Sequence, residues 1–340
     1  MHIEKRIVEL AGIGPVTSVI MRSQRMEVEL LSYGASIRSI TLIDGDGRRV
    51  PLTLSYEDIL ESCSNESLAG QTVGPNAGRL PSETPITICD TAGRGALSLT
   101  LPTNNGSNQI HGGTSNLATR NWILTPGDGD EGSVFLTPGD GVEGSVFDVV
   151  FTTTQPDGLD GWPGNRRYEV RYRFWEEGRL DIEFIGESDA TTYLNLTNHT
   201  YWLRDGLKLE VYANRYIEND TDYMPTGIAS LPASAKAGFE IAPDAVYNHA
   251  FLLDNYDGSL RPAAHLYYPV LHTSMTISTD APALVVYTGD YLDHAPLLGG
   301  GCSAPGCAIA LEAQELYPYT PLHLVDATHP FHRNISINFS

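Results

Sequence analysis

Alternation of apolar and polar side chains in residues 193–202 predicts a strand with two different faces. The segment has no glycine, proline or formal charge, and it is rich in β-branched and aromatic residues. One predicted face carries Leu194, Leu196, Asn198, Thr200 and Trp202. The other carries Tyr193, Asn195, Thr197, His199 and Tyr201. Such a strand suits the floor of a ligand cleft, although an ordinary solvated strand with one histidine is the simpler alternative.

A second alternating segment, residues 307–314, places an acidic side chain among small ones. Ile309 and Leu311 fall on one predicted face, whereas Glu312 shares the other face with alanines and Gln314. Small neighbours leave room for a ligand, and an apolar setting raises the pKa of a carboxyl group by desolvation. A carboxylate and an imidazole on two cleft-lining strands would form a general base and general acid pair. The alternative for Glu312 is a salt bridge at the surface.

Short alternating runs separated by turn residues extend along the rest of the chain. Further strands are predicted at residues 16–21, 26–31, 33–44, 168–175, 179–185, 275–280, 283–288 and 333–339. Hairpin turns are predicted at residues 177–178 and 281–282, and a short helix at residues 55–61 would have Ser55 as its N-cap. With 33 glycines, 21 prolines and no long helical periodicity, the chain is predicted to be all-β. No linker divides it, so residues 1–340 are predicted to form one domain.

The charge balance of the chain is strongly acidic. Its 340 residues carry 42 acidic and 21 basic side chains, a formal net charge of −21, and 41% of them are hydrophobic, enough for a substantial core. Such a field repels nucleic acid and anionic membranes. It also argues against a phosphorylated substrate, which would need a cluster of basic side chains. The nearest candidate for such a cluster is the single pair Arg166–Arg167.

The four cysteines, at positions 63, 89, 302 and 307, lack the tight paired spacing of a zinc site. We therefore predict free thiols in a reducing compartment and no metal. The N-terminus lacks the apolar run of a signal peptide, and no stretch approaches the length of a membrane-spanning helix. The protein is accordingly predicted to be cytoplasmic.

Two glycine-containing loops carry candidate binding residues. Residues 70–80 include Arg79, whose guanidinium can fork onto hydroxyls or a carboxylate, although a structural ion pair is an equal alternative. This loop lacks the spacing of a phosphate-binding P-loop. Residues 104–113 end in His111-Gly112-Gly113, which places a histidine on an open turn. A surface histidine without a partner is the alternative.

A tandem duplication occupies residues 124–147. Its copies, residues 124–135 and 136–147, differ only at Asp130 and Val142. A single extra copy is too short for a solenoid, so we predict a lengthened surface loop. Its acidic residues do not have the spacing of a calcium-binding loop.

Several motifs occur in one order along nearly the whole chain. They are Tyr33-Gly-Ala-Ser-Ile37, Asn108-Gln-Ile-His-Gly-Gly113, residues 157–164, Asn195-Leu-Thr-Asn-His-Thr-Tyr201, Pro225-Thr-Gly227, Thr279-Asp280 with Tyr287-Thr-Gly289, and Leu311-Glu-Ala-Gln314. This set resembles the motifs of the aldose 1-epimerase (galactose mutarotase) family. The resemblance implies a large antiparallel β-sandwich, the galactose mutarotase-like supersandwich, with very few short helices and a sugar cleft on its concave face.

The resemblance also implies roles for individual residues. It makes His199 the general acid, Glu312 the general base and His111 a substrate-binding residue. Arg79 matches the arginine that closes the family's Gly-Arg-x-Ala-Asn-Arg motif, and Gln314 ends the last motif above. Both are expected to bind substrate.

Three positions depart from the family's pattern. Pro75 stands where the motif has its first arginine, and Gly78 stands where it has asparagine. Asn248 stands at a sugar-contacting aspartate, and it is expected to bind substrate because it keeps a hydrogen-bonding oxygen. The departures leave the chemistry in place but argue against carrying over a preference for galactose.

The implied reaction interconverts the α and β anomers of a free aldose by acid/base ring opening and closure. No redox step occurs, so no cofactor is expected. The expected partner is a monosaccharide, and the protein is expected to be a monomer or a homodimer. Three alternatives stay open: a carbohydrate-binding β-sandwich without activity, an epimerase acting on a hexose 6-phosphate, and a glycoside hydrolase, which would need two carboxylates flanking one bond.

Overall fold

A ten-stranded antiparallel sheet forms one layer of the protein in a computed structural model that describes residues 1–125, 135–138, 145–232, 239–242 and 245–340. Its main path runs through Ile123–Thr125, Ser145–Gln155, Arg166–Trp175, Arg179–Ser188, Phe331–Phe339, Thr273–Thr279, Arg261–Tyr268, Lys208–Val211 and Phe239–Ile241. Off this path, Phe135–Pro138 pairs with Ser145–Gln155. The predicted hairpin at residues 177–178 is confirmed, because the strands on either side of it pair along their whole length.

Two further antiparallel sheets complete the main architecture. The six-stranded sheet has the order Tyr201–Leu203, Ala308–Gln314, Ala283–Tyr287, Asn248–Leu253, Ala213–Asn219 and Pro225–Ser230. The five-stranded sheet is an N-terminal meander of His2–Leu10, Gly14–Arg22, Met26–Leu31, Ser36–Ile43 and Arg49–Pro51. The last turn of this meander is closed by the Asp44 carboxylate, which accepts hydrogen bonds from the backbone N–H groups of Asp46 and Arg48.

Short elements connect these sheets. Four two-stranded ribbons pair Thr72–Val73 with Thr197–Asn198, Leu80–Pro81 with Asn108–Gln109, Ile86–Cys89 with Ala96–Leu99, and Thr192–Tyr193 with Leu324–Val325. The helical elements of the described residues are the α-helix Ile59–Ser64 and the 3-10 turns Leu159–Gly161 and Pro269–Leu271. None of the helices in this part of the chain has the length and apolar character needed to cross a bilayer.

One apolar cluster fills the space between the three large sheets. Phe174 and Ile182 contribute to it from the ten-stranded sheet, Leu284 and Ile309 from the six-stranded sheet, and Val28 from the meander. Each of these side chains is at most 2% exposed, and burying one stabilises the fold by about 1.5–3 kcal/mol. Since successive side chains of a strand point to opposite faces, the six-stranded sheet presents its other face outward, where it can line a site.

Residues 193–202 are not the single strand that the sequence predicts. They are divided among three short strands that pair with residues 324–325, 72–73 and 308–310. The predicted apolar face is confirmed for Leu194, Leu196 and Trp202, which all lie in the core. All ten residues are buried, so the alternative of a solvated strand is wrong.

The hairpin predicted at residues 281–282 is also wrong. Thr273–Thr279 belongs to the ten-stranded sheet and Ala283–Tyr287 to the six-stranded sheet, so residues 280–282 carry the chain from one layer to the other. Both strands place alternate apolar side chains in the shared core. That pattern fits a core-facing strand in either sheet, and it therefore cannot specify the partner.

The α-helix Ile59–Ser64 begins later than predicted. Its N-cap is Asp58, whose side chain accepts a hydrogen bond from the backbone N–H of Leu60. Ser55 instead donates its hydroxyl to the carbonyl of Thr53. Most of the duplicated segment, residues 124–147, lies outside the described residues, so the predicted surface loop stays a prediction.

Candidate active site

The outer face of the six-stranded sheet forms the floor of a cavity of about 770 Å³. Residues opposite one another on neighbouring strands point to the same face, so the strand register places side chains in rows. One row consists of Ala250, Val285 and Glu312. The next row consists of Asn248, Tyr287, Ala310 and Tyr201. The volume lies within the range of small-molecule sites, about 300–1,000 Å³.

His199 and Glu312 face each other on this floor. Nε2 of His199 lies 3.5 Å from Oε1 of Glu312, and their side chains are only 6% and 5% exposed. Backbone hydrogen bonds hold His199 in place, because its N–H donates to Gln71 and its carbonyl accepts from Gly70. The two side chains are slightly too far apart for a good direct hydrogen bond, which leaves each able to contact a ligand oxygen.

Ring packing fixes the orientation of the His199 imidazole. The ring of His111 lies edge-on to it with centroids 5.4 Å apart, and the ring of Tyr201 lies 4.9 Å away on a tilted plane. Nδ1 of His199 is buried without a hydrogen-bond partner among the described residues. Nε2 is therefore the ring nitrogen through which His199 meets Glu312.

Burial raises the pKa of Glu312 above its ordinary value, and the charges of His199 and Arg79 partly oppose this shift. The 5% exposure of its side chain confirms the desolvated setting that the small side chains around Glu312 predict. A carboxylate with a raised pKa is a stronger base at neutral pH than an exposed one.

His111 forms the wall of the cavity beside His199. Its Nδ1 lies 2.8 Å from the carbonyl oxygen of Ala77, and a carbonyl only accepts, so Nδ1 carries the proton of the neutral ring. Burial, the neighbouring His199 and Arg79 lower the pKa of His111 to about 3, despite the opposing hydrogen bond to Ala77. His111 is therefore neutral near pH 7, with Nε2 as a hydrogen-bond acceptor.

The turn that carries His111 is not open, contrary to the prediction. Gly112 packs so closely on the neighbouring loop that a Cβ there would lie 2.2 Å from Cδ of Pro75. A glycine is therefore required at this position. His111 itself adopts a left-handed backbone with φ of 55°. The contact with Ala77 also excludes the alternative of a surface histidine without a partner.

Arg79 lies over the cavity beside an aromatic ring. Its guanidinium carbon is 5.2 Å from the centroid of Tyr223, and its Nε donates to Oδ1 of Asn105 at 3.4 Å. Burial lowers its pKa while the nearby charge of Glu312 raises it, and an arginine stays protonated under such shifts. Among the described residues, the partners of Arg79 are thus an aromatic ring and an amide oxygen, whereas the alternative of a structural ion pair requires a carboxylate.

Gln314 brings an unsatisfied amide to the same cavity. It is 1% exposed, and its Oε1 has no hydrogen-bond partner among the described residues. Gly78 lies directly against it, since a Cβ at position 78 would be 2.8 Å from this oxygen. A buried amide oxygen without a partner costs about 1–3 kcal/mol, so a ligand hydroxyl that donates to it would be favoured.

The cavity brings together all six side chains that the sequence singles out: Arg79, His111, His199, Asn248, Glu312 and Gln314. Three other members of the polar face predicted for residues 193–202 do not line it, namely Tyr193, Asn195 and Thr197. The division of that segment into three strands turns these side chains into the interior.

Four cavity-lining tyrosines were not predicted as site residues, namely Tyr223, Tyr287, Tyr291 and Tyr317. Tyr223 and Tyr291 lie on loops, where alternation gives no information about direction. Tyr287 lies on a strand of the floor, and the alternation of residues 283–287 could have indicated its orientation once the sheet order was known.

The basic and metal-binding candidates lie elsewhere or are not found. Arg166 is buried, and its guanidinium donates to backbone carbonyls of Pro156, Trp162, Pro163 and Gly164, so it has a structural role. All four cysteines are free thiols. In the part of the chain that the structure describes, no three His, Cys, Asp or Glu side chains are grouped as metal ligands.

Comparison with known proteins identifies relatives of the whole architecture. The family model for aldose 1-epimerase matches residues 17–321. An aldose 1-epimerase of Escherichia coli (strain K12) is 28% identical over 321 residues, 88% of this chain and 85% of the relative. A galactose mutarotase of Bos taurus is 25% identical over 303 residues, 83% and 80% of the two chains. The crystal structure of galactose 1-epimerase from Lactobacillus acidophilus NCFM superposes on this chain with a TM-score of 0.78 at 23% identity. The match covers 100% of this chain and 99% of that chain, which confirms the predicted fold class.

Proposed function

This chain belongs to the aldose 1-epimerase family, and from that premise we propose that it interconverts the α and β anomers of a free aldose. The 3.5 Å separation of Nε2 of His199 from Oε1 of Glu312, on the floor of a cavity large enough for a pyranose, carries the proposal. We assign Glu312 as the general base and His199 as the general acid for ring opening.

The reaction breaks and reforms the bond between C1 and O5. Glu312 takes the proton of the anomeric hydroxyl as the C1–O1 carbonyl forms, and His199 donates a proton to O5. The open-chain aldehyde then rotates about its C1–C2 bond. On closure O5 attacks the other face of C1 and returns its proton to His199, while Glu312 returns its proton to O1. Protons and electrons balance without any further reactant, and each positioned acid or base contributes on the order of 10²–10⁴-fold.

The other cavity residues have complementary hydrogen-bonding properties. Neutral His111 offers Nε2 as an acceptor for a sugar hydroxyl, and Gln314 offers its unpaired Oε1. Arg79 is a charged donor, and its charge can stabilise negative charge that develops as the ring opens. Because His111 is neutral, it cannot stabilise this negative charge electrostatically, and we assign that role to Arg79. Asn248 lies on the floor in the same row as Tyr287 and is assigned to substrate binding.

The charges around the cavity favour a neutral sugar over a phosphorylated one. Its described lining includes the carboxylates of Glu61, Glu66, Asp293, Glu312 and Glu315. Against these, Arg79 is the only lysine or arginine among the described lining residues. A phosphate dianion is recognised by clustered basic groups, so a hexose 6-phosphate is the less well supported substrate.

The proposal is tested by optical rotation of freshly dissolved pure anomers of glucose, galactose and xylose, with and without the protein. We expect the protein to accelerate the approach to the equilibrium rotation for at least one sugar. Saturable sugar binding with an unchanged rate would support a carbohydrate-binding protein instead. Inhibition by glucose 6-phosphate at concentrations far below those of glucose would support the phosphorylated alternative.

The cytoplasmic location and the monomeric or homodimeric state stay predictions. Gel filtration with light scattering would determine the number of subunits in solution.

A further inference from the structure

The guanidinium of Arg79 is restrained by one amide and one aromatic ring. Its Nε donates to Oδ1 of Asn105 at 3.4 Å, the only hydrogen bond that this side chain makes within the described part of the chain. Its carbon lies 5.2 Å from the centroid of the Tyr223 ring, within the range of a cation–π contact. The two terminal nitrogens are therefore available to a ligand in the cavity.

Most of the restraint on Arg79 must come from the Tyr223 ring. An arginine side chain is long and flexible, and fixing it in one conformation costs entropy. The hydrogen bond to Asn105 is longer than the usual 2.7–3.2 Å and is correspondingly weak. Burial also opposes the charge of Arg79 and lowers its pKa. The negative face of an aromatic ring attracts a guanidinium and offsets part of this loss of hydration.

Tyr223 is held against Arg79 by a turn with an unusual backbone. Its φ is 59°, in the left-handed region that a bulky side chain rarely adopts. The carboxylate of Asp220 accepts hydrogen bonds from the N–H groups of Asp222 and Met224, each at 2.9 Å. The N–H of Tyr223 donates to the carbonyl of Asp220. Such a conformation costs free energy and is characteristic of functional sites, so we ask what the placement of this ring achieves.

A second contact ties the Tyr223 side chain to the cavity floor. Tyr291 lies close enough to raise the pKa of Tyr223 through a hydrogen bond between the two hydroxyls. The backbone N–H of Tyr291 donates in turn to the hydroxyl oxygen of Tyr287 at 3.2 Å. Tyr287 belongs to a strand of the floor. The ring that faces Arg79 is thus fixed both by its own turn and by the sheet that carries Glu312.

We propose that Tyr223 is a positioning residue for anomer interconversion, because its ring holds the Arg79 guanidinium where negative charge develops during ring opening. This inference rests on the proposed function, in which Arg79 stabilises that charge. Tyr223 acts only through Arg79, so it takes no proton. Electrostatic stabilisation depends on a charge that is already in place, and a mobile guanidinium provides less of it. Loss of the ring should therefore lower kcat more than it raises KM.

The experiment is a double-mutant cycle between Tyr223 and Arg79, measured by polarimetry with the sugar that the wild-type protein accelerates most. Tyr223→Asn removes the ring, and asparagine tolerates a left-handed backbone, so the variant should melt at or above the wild-type temperature. Its kcat should nevertheless fall by about 5-fold, as loss of one cation–π contact predicts, with a smaller change in KM. Tyr223→Phe keeps the ring and should recover most of the wild-type kcat.

The second arm of the cycle removes the charge that Tyr223 is proposed to hold. Residues in contact are coupled, so Tyr223→Asn should change the residual kcat of Arg79→Met by less than about 2-fold. Tyr256→Asn is the matched control. The Tyr256 ring lies 5.0 Å from the guanidinium carbon of Arg261, in the same kind of contact, and neither residue lines the cavity. This control should keep the wild-type kcat and KM.

The possible outcomes separate this inference from the proposed function. Acceleration of no sugar by the wild-type protein would overturn the proposed function and the role of Tyr223 with it. In an active protein, an equal loss of kcat from Tyr223→Asn with and without Arg79 would overturn the positioning role alone. An unchanged kcat in Tyr223→Asn, or an equal loss in Tyr223→Phe, would likewise overturn the positioning role alone.

Discussion

The carbonyl oxygen of Ala77 lies 2.8 Å from Nδ1 of His111 and so determines which nitrogen of that ring faces the cavity. Nε2 is left as the acceptor for a substrate hydroxyl. We predict that His111→Phe raises KM by about 10-fold, the value of one lost hydrogen bond, with a smaller change in kcat. His111→Gln places an amide group near the position of Nε2 and should recover most of the affinity. Polarimetric kinetics on both variants test this, and equal KM values for the two would contradict it.

Acid should destabilise the protein through the same side chain. Burial holds the pKa of His111 at about 3, whereas a histidine in the unfolded chain has a pKa of about 6.5. Between these values the unfolded state binds a proton that the folded state does not, so stability falls as pH falls through this window. The urea concentration at the midpoint of unfolding should therefore decrease more between pH 7 and pH 4.5 for the wild type than for His111→Gln. An identical decrease in both proteins would show that the lowered pKa of His111 does not cause the loss of stability in acid.

Removal of the proposed base should abolish most of the activity without disturbing the fold. Glu312→Gln keeps the shape of the side chain and removes its ability to take a proton. We predict that kcat falls by about 10²–10⁴-fold, with KM changed only a few-fold. Glu177→Gln makes the same chemical change on an exposed hairpin turn and serves as the matched control. Near-normal mutarotation by Glu312→Gln would remove Glu312 from the mechanism.

The pH dependence of kcat/KM should report the raised pKa of Glu312. The base works only when ionised, so kcat/KM should fall as pH falls through the pKa of this carboxyl group. Because burial raises that pKa above the ordinary value of 4.5, the acidic limb of the profile should be centred above pH 4.5. The limb should vanish from the residual activity of Glu312→Gln. A limb centred at or below 4.5 would be inconsistent with a desolvated base.

Gly78 has no side chain, and we expect this to leave room for the amide group of Gln314. A Cβ at position 78 would lie 2.8 Å from Oε1 of Gln314, so Gly78→Ala must displace the end of that flexible side chain. We predict that Gly78→Ala lowers kcat/KM by about 5-fold while the protein still folds, since one polar contact is disturbed. Groups in direct contact are coupled, so Gly78→Ala should have little further effect in a Gln314→Ala background. Additive losses in this double-mutant cycle would show that the two positions act independently.

Sequence patterns predicted the strands and the six residues that line the cavity better than they predicted strand partners. Alternation along residues 308–314 correctly placed Ile309 in the core and Glu312 outside it. The same signal could not show that residues 273–279 and 283–287 belong to opposite sheets, because both strands bury alternate apolar side chains in one core. Tyr223 and Tyr291 escaped prediction because the direction of a loop side chain depends on tertiary contacts. The six cavity-lining residues converge from distant segments. Alternation suggested only the pairing of His199 with Glu312, and the motifs shared with a known family indicated the rest of that convergence in advance.

Asn195 links three segments beneath the cavity floor. Its side-chain N–H groups donate to Oδ1 of Asn76 at 2.9 Å and to the carbonyl of Glu315 at 3.0 Å, and its Oδ1 accepts from the N–H of Glu315 at 2.9 Å. Its backbone also pairs with Pro75 and Ala77. Asn195→Ala leaves several buried polar groups without partners, and we predict a loss of roughly 2–4 kcal/mol in the free energy of unfolding.

Because Ala77 lies in the loop that Asn195 holds, the loss of stability should be accompanied by weaker substrate binding. KM should rise more than kcat falls, since the strand of Glu312 and the backbone contacts of His199 remain in place. Asn121→Ala also removes two side-chain hydrogen bonds, to Ser32 and Pro15, but outside the cavity lining. That control should lose stability and keep the wild-type KM. If both variants lost stability and neither changed KM, Asn195 would support the fold without positioning the Ala77 loop that contacts His111.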